Sequence, residues 1–178
     1  MYKEYLLKLK EICKKKKFKL KLIGYVGFKK EFPIFSVIIN DIKRPKRTIV
    51  FSAGIHGEEP TGPFAILKFL EDFNLNRYKN IKIIIFPVAN PHGFDRGIRR
   101  NFLNKDLNGH FCNKKLSGEN KILYNFIKNE NIFFFHALHE DEEEKRFYLY
   151  LFEKNQEKVY RDIIKLAEKY FLINRNKK

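Results

Sequence analysis

The chain has 178 residues, with 37 Lys and Arg against 21 Asp and Glu, so its formal net charge is +16. Hydrophobic residues make up 44% of the sequence, and the two cysteines are Cys13 and Cys112. This composition excludes a disordered chain and a disulfide-stabilised miniprotein. No segment approaches the roughly 20 apolar residues that cross a bilayer, and the N-terminus lacks the apolar region of a signal peptide. We therefore expect a cytoplasmic protein without a membrane partner.

Hydrophobic spacing predicts one domain, residues 1–178, in which helices and strands alternate. Residues 1–17 are predicted to form a basic amphipathic helix, because apolar side chains recur there at helical spacing. The same periodicity predicts helices at 60–73, 117–129 and 155–171. Apolar runs of strand length predict strands at 18–28, 32–41, 48–55, 81–89, 132–138 and 147–152. This alternation indicates an α/β class with a mixed, largely parallel sheet and helices on both faces.

Polar side chains follow three of the predicted strands, at the edge where open α/β sheets bind ligands. The first group runs from His56 to Glu59, the second is the sequence Asn-Pro-His-Gly at 90–93, and the third is His-Glu-Asp at 139–141. The second group opens a polar segment, residues 90–113. We interpret that segment as a functional loop because it is long for a plain connection. The sequence therefore predicts a functional site at this edge of the sheet.

His56 and Glu59 lie three positions apart at a strand-to-helix turn. This spacing allows an imidazole nitrogen and a carboxylate oxygen to approach one cation. His139, which follows another strand, is the candidate third ligand. Two histidines and one glutamate with an open fourth position are typical of catalytic zinc, so we predict one Zn²⁺ per chain. The alternatives are an ordinary solvated turn at His56 and a capping or core histidine at His139.

Four segments together resemble the carboxypeptidase A-like zinc peptidases and their relatives, the succinylglutamate desuccinylases and aspartoacylases. They follow the family's order and approximate spacing over residues 48–150. The segments are Gly54-Ile55-His56-Gly57-Glu58-Glu59, Asn90-Pro91-His92-Gly93-Phe94, Arg99-Arg100-Asn101 with Asp106-Leu107-Asn108, and Leu138-His139-Glu140-Asp141. The resemblance implies a three-layer sandwich of the zinc-carboxypeptidase type.

The same resemblance implies a zinc-dependent hydrolase of amide or peptide bonds, either metallocarboxypeptidase-like or N-acyl amino acid deacylase-like. Zinc-activated water would be the nucleophile, and a small peptide or acyl-amino acid would be the substrate. His56, Glu59 and His139 would hold the zinc. Arg99 would stabilise the oxyanion that develops on the scissile carbonyl, and Asn108 would help to bind the carboxylate of the substrate.

The chain departs from the family pattern at two places. Gly109 stands where the family carries an arginine that anchors a carboxylate by bidentate pairing, and Arg100 or His110 are the candidate replacements. The family's general-base glutamate lies further downstream than this chain extends. We therefore expect a C-terminally truncated fold with an open sheet edge that a partner or second copy would cover. Glu140 is the alternative catalytic carboxylate, although strand alternation directs its side chain away from that of His139.

Two other functions stay open on the sequence. The chain could be a truncated, catalytically impaired relative that still binds zinc. The net charge of +16 also permits a basic nucleic-acid-binding domain, but we find no recognised motif for one and do not favour a nucleic-acid partner. Replacing His56 by alanine would abolish zinc binding under the hydrolase and impaired-relative hypotheses, and would leave it unchanged under the third.

Overall fold

The computed structural model of the chain describes residues 1–43, 45–75, 78, 80–110, 116–151 and 157–175. The chain divides into two compact units, residues 1–140 and 141–178. In chain order the first unit contains α1 (Tyr2–Lys16), β1 (Lys19–Val26), β2 (Phe32–Ile39), β3 (Arg47–Ser52), α2 (Thr61–Asp72), β4 (Ile81–Phe86), α3 (Pro91–Arg96), a 3₁₀ turn (Asn108–His110), α4 (Gly118–Ile127) and β5 (Ile132–Ala137), and the second contains α5 (Glu157–Ala167).

The five strands form one mixed sheet in the order β1-β2-β4-β3-β5. β3 lies parallel to both β4 and β5, whereas β2 pairs antiparallel with β1 and with β4. The predicted mixed α/β class is therefore confirmed. β5 lies at one edge of this sheet, and the covering of an edge by a partner or second copy stays a prediction. Within the described residues, no helix is long and apolar enough to span a bilayer.

The two faces of the sheet carry two separate hydrophobic cores. Side chains alternate between the faces of a strand, and β4 shows this directly. Ile83 and Ile85 pack in the core formed with α1 and α2, whereas Ile84 and Phe86 pack in the core that contains Leu123 of α4. The predicted placement of helices on both faces is therefore confirmed, and all five of these side chains are buried.

The N-terminal helix, α1, is hydrogen-bonded to two other helices, α2 and α3. Tyr5 is almost fully buried, and its hydroxyl donates to the carbonyl oxygen of Pro63 in α2 at 2.9 Å. The backbone N–H of Tyr2 donates to Asp95 of α3 at 2.8 Å. The predicted amphipathic helix is thus present, and its apolar face packs against the same helices that follow β3 and β4.

Two predictions of local structure are wrong. The segment 90–113 is not entirely a loop, because Asn90 caps a short helix, α3, whose first residue is Pro91. Proline suits the first turn of a helix, where its missing N–H leaves no hydrogen bond unmade. Residues 147–151 of the predicted last strand form a single bridge, between Phe147 and Ile173. A strand needs a ladder of backbone partners. Cys112 lies outside the described residues.

Candidate metal centre

The turn that carries His56 continues from the end of β3 and stays attached to the segment that follows β4. The N–H of Ala89 donates to the carbonyl oxygen of Ala53 at 2.9 Å, and the N–H of Asn90 donates to that of Gly54 at 2.9 Å. Gly54 has a φ of +62°, a left-handed conformation that glycine adopts without steric cost. The turn therefore leaves the sheet in a defined direction.

The turn that carries His56 packs closely against α3, where the backbones of Gly57 and Gly93 meet. A methyl group at Gly57 would lie 1.9 Å from the carbonyl carbon of Gly93, so the close approach of the two backbones requires glycine. Asn90 accepts from the N–H of Gly93 at 2.9 Å and donates to the carbonyl oxygen of Arg99 at 3.2 Å. The buried Asn90 side chain thus links α3 to the loop that carries Arg99.

Three side chains from two distant parts of the sequence meet at the carboxyl ends of β3 and β5. Nδ1 of His56 lies 2.6 Å from Oε1 of Glu59, and Nδ1 of His139 lies 2.9 Å from Oε2 of the same carboxylate. One donor atom from each residue lies within 4.8 Å of the others, close enough to hold one metal ion. His56 and Glu59 are buried, whereas 32% of the His139 side chain is exposed. The cluster therefore opens to solvent on the His139 side.

The electrostatics of the cluster favour the charged forms of Glu59 and His56. Burial alone would raise the pKa of Glu59, but hydrogen bonds from His139 and His56 outweigh it and lower that pKa to about 2. Burial would likewise lower the pKa of His56, but the Glu59 carboxylate raises it above the ordinary value. The carboxylate is therefore ionised near neutral pH, which is the form that binds a cation.

An ion-pair network surrounds the cluster. Nε of Arg99 donates to Oδ2 of Asp106 at 2.9 Å, and Oδ1 of Asp106 lies 3.3 Å from Nε2 of His56. Nη1 of Arg99 lies 3.3 Å from Oε1 of Glu58 and 4.0 Å from Oε1 of Glu59. Arg99 is thus held beside the three candidate ligands. Asp106 and Glu58 were not among the predicted site residues, although both lie inside the segments that carry the family resemblance.

The remaining predicted site residues lie around this network or apart from it. The carboxylate of Glu140 accepts from the backbone N–H of Thr61, the first residue of α2. Arg100 is exposed and donates to the carbonyl oxygen of Asn104 at 3.0 Å. Asn108 is exposed and its N–H donates to Asp106 at 3.0 Å. The side chain of His110 lies outside the described part of the chain. The functional roles of these residues stay predictions.

The buried carboxyl of Glu119 contacts the loop that carries Arg99. Glu119, near the start of α4, is 0% exposed and accepts from the side-chain amide of Asn101 at 2.9 Å. Burial raises the pKa of Glu119, and the hydrogen bond from Asn101 opposes that rise only in part. The ionised form of this carboxyl is therefore more costly in the folded chain than in the unfolded one.

We expect Glu119→Gln to remove part of the pH dependence of stability. Because the folded-state pKa of Glu119 lies above its unfolded value of 4.5, the folded chain binds more protons between the two values. The free energy of unfolding of the wild type therefore falls as pH rises through that window. Urea unfolding from about pH 4.5 to pH 8 should show the variant gaining stability over the wild type with rising pH. A difference that is constant with pH would contradict this expectation.

Sequence comparison links this site to a known family. Residues 45–147 match the family profile of the succinylglutamate desuccinylase/aspartoacylase catalytic domain. This match covers more than half of the chain and includes all three clustered side chains. No curated protein matches the chain.

Structure comparison identifies the fold. The chain is similar to a candidate metallopeptidase from Shewanella amazonensis, with a TM-score of 0.81 and 22% identity over 99% of this chain and 70% of that one. It is also similar to a candidate carboxypeptidase A from Shewanella denitrificans, with a TM-score of 0.81 and 17% identity over 98% of this chain and 50% of that one. A metallo-carboxypeptidase from Burkholderia cenocepacia is similar with a TM-score of 0.74 and 17% identity, over 91% of this chain and 48% of that one. The predicted carboxypeptidase-like three-layer architecture is thereby confirmed.

Proposed function

This chain belongs to the succinylglutamate desuccinylase/aspartoacylase catalytic-domain family, and from that premise we propose that it is a zinc-dependent hydrolase of amide bonds. Its substrates would be N-acyl amino acids or small peptides with a free carboxylate. The observation that carries the proposal is the convergence of His56, Glu59 and His139 within 4.8 Å, with the Arg99 guanidinium 4.0 Å from Glu59.

The donor set fits zinc. Two imidazole nitrogens and one carboxylate leave a coordination position open, as in catalytic zinc sites. The Nδ1 atoms of His56 and His139 both face Glu59, and Nε2 of His56 faces Asp106. An outer carboxylate on the second ring nitrogen of a ligating histidine fixes its tautomer and orientation. When bound, zinc would act as a Lewis acid toward the scissile carbonyl and would make water more acidic.

Arg99 supplies a fixed positive charge at the rim of the site. Its guanidinium is held on two sides, by Glu58 and by Asp106, so it does not have to reorganise when negative charge develops on a substrate oxygen. Preorganised donors of this kind usually give the largest single contribution to catalysis of acyl transfer. Arg100 and Asn108 are exposed on the same loop and would bind the substrate carboxylate.

A second candidate function is zinc binding with impaired turnover. The observation that favours it is the position of Glu140, whose carboxylate is bonded to the N-terminus of α2. A carboxylate held there by a backbone N–H is not free to move protons between water and a leaving amine. Under this hypothesis the chain would bind zinc and acyl-amino acids without hydrolysing them efficiently.

The test is an amine-release assay on metal-free protein reloaded with one equivalent of zinc. A panel of N-acyl amino acids and short peptides with free C-termini would be compared with the same compounds as C-terminal amides. Release of amine that needs zinc and the free carboxylate supports the hydrolase. Stoichiometric zinc without amine release from any compound supports the impaired relative. A folded chain that binds no zinc contradicts both.

We expect Asp106→Ala to weaken zinc binding without unfolding the chain. Asp106 contacts Nε2 of His56 and is only partly buried, so its loss leaves the histidine free to rotate. Removing such an outer partner typically costs about 10- to 100-fold in metal affinity. Competition with a chromophoric chelator measures the effect. An unchanged affinity would show that Asp106 does not orient His56.

A further inference from the structure

The loop between Arg99 and Asp106 is closed at its base by backbone hydrogen bonds. The N–H of Asn101 donates to the carbonyl oxygen of Lys105 at 3.0 Å, and the N–H of Asn104 donates to that of Asn101 at 2.9 Å. The chain therefore reverses between residues 101 and 105. Arg99 and Asp106 flank this reversal and form the 2.9 Å ion pair that borders the metal cluster.

The side chain of Asn101 occupies the centre of the reversal. Its Oδ1 accepts from the N–H of Leu103 and from the N–H of Lys105, both at 3.0 Å. Two donors on Oδ1 set the orientation of the amide, so Nδ2 is directed away from the loop. Oε2 of Glu119 accepts the hydrogen bond from Nδ2 at 2.9 Å. Asn101 is 4% exposed and Glu119 is 0% exposed, so water does not offer an easy substitute for this acceptor.

Asn120, which follows Glu119 in α4, is hydrogen-bonded to the chain just after Asp106. Nδ2 of Asn120 donates to the carbonyl oxygen of Leu107 at 2.8 Å, and Asn120 is also buried. The first turn of α4 thus contacts the loop both within the reversal and just beyond Asp106. The body of the helix is fixed by Leu123 in the core, so the loop is attached to a rigid element.

We propose that Glu119 is a positioning residue, whose buried carboxyl holds Asn101 and thereby sets where Arg99 and Asp106 stand beside the metal cluster. The inference rests on the proposed function for its catalytic meaning, but its structural content concerns the loop alone. Glu119 does not contact the candidate ligands in any hydrogen bond that the structure describes. We therefore expect its effect on metal binding to pass through the loop, chiefly through Asp106 and its contact with His56.

The test begins with Glu119→Met, which keeps the length of the side chain and removes the acceptor, and Glu119→Gln, which keeps an acceptor oxygen. In metal-free protein, amide hydrogen exchange at Leu103 and Lys105 should be faster in Glu119→Met than in the wild type. Exchange in Glu119→Gln should match the wild type. Equal exchange at both amides in all three proteins would overturn the proposal.

Zinc affinity gives the second measurement. Glu119→Met should weaken zinc binding by about tenfold, and Glu119→Gln should restore it. Combined with Asp106→Ala, Glu119→Met should add almost nothing, because residues that act through one path are not additive. A full additional tenfold loss in the double variant would contradict an action through Asp106. Asn101→Ala should give the same tenfold loss, and it replaces Glu119→Met if that variant does not fold.

A matched control separates positioning from a general loss of stability. Leu123→Ala removes buried apolar volume from the same helix and leaves the side chains of Glu119 and Asn120, which hydrogen-bond the loop, unchanged. It should lower the free energy of unfolding and leave zinc affinity unchanged. If Leu123→Ala weakened zinc binding as much as Glu119→Met, the positioning role would be rejected. If the wild type bound no zinc, the proposed function would fail, while hydrogen exchange would still decide the role of Glu119.

Discussion

Replacing His139 by alanine is expected to weaken zinc binding by more than a hundredfold and to leave less than one zinc per chain. The residue contributes one of three candidate donor atoms, and its Nδ1 lies 2.9 Å from Glu59. If a binding free energy of about 10 kcal/mol is shared by three ligands, the loss of one costs roughly 3 kcal/mol, more than a hundredfold in affinity. Because His139 is partly exposed at the end of β5, the substitution leaves no large buried cavity. Elemental analysis after dialysis against one equivalent of zinc measures the result.

His136 provides the control on the same strand. Its ring stacks on Phe134 with a centroid separation of 5.9 Å and contacts Phe51 on the neighbouring strand β3. It is not among the clustered donor atoms that the described residues provide. His136→Ala should therefore retain one zinc per chain. Equal zinc loss in both variants would show that β5, and not a specific ligand, determines binding, and the assignment of His139 would then be wrong.

Gly57→Ala is expected to destabilise the chain by about 3 kcal/mol or more. The added methyl group would lie 1.9 Å from the carbonyl carbon of Gly93 and 2.3 Å from the backbone nitrogen of Phe94. Both are backbone atoms of α3, which cannot move aside as a flexible side chain can. For a chain of this size the loss corresponds to a fall in Tm of roughly 6–12 °C. Thermal unfolding followed by circular dichroism measures it.

Gly109→Ala is the matched control, since nothing lies within 4 Å of a Cβ at that position. Its Tm should stay close to that of the wild type. The same comparison should extend to zinc, because Gly57 directly follows His56 and a shifted turn would move the ligand. A Gly57→Ala chain with unchanged Tm and unchanged zinc affinity would disprove the close seating of the turn on α3.

Local sequence was sufficient to predict most elements of the fold. The apolar side chains of α1 recur at helical spacing, and the apolar run of β4 has the length of a buried strand, so each pattern indicates one structure. The predicted strand at 147–152 is the counterexample. Its apolar residues satisfy the local pattern of a strand, but strand formation depends on a backbone partner elsewhere in the chain. Pairing with such a partner is not encoded in a six-residue window.

The candidate site was predictable in its residue types and only partly in its geometry. His56 and Glu59 are close in sequence, so their contact follows from the turn itself. Glu140 illustrates the limit, because its position next to His139 in the sequence does not reveal its hydrogen-bond partner, and its catalytic role stays a prediction. In the structure it accepts from the N–H of Thr61, where the positive end of α2 stabilises a negative charge.

The sequence alone therefore settles the alternation of helices and strands and the kinds of side chain that follow each strand. Both depend on interactions between near neighbours, whose spacing is visible in the chain. Tertiary structure decides which of those side chains meet. Glu59 and His139 are 80 positions apart, and Asp106 reaches His56 only after the loop at Asn101 reverses. Such contacts depend on sheet order and on buried hydrogen bonds, which no local pattern specifies.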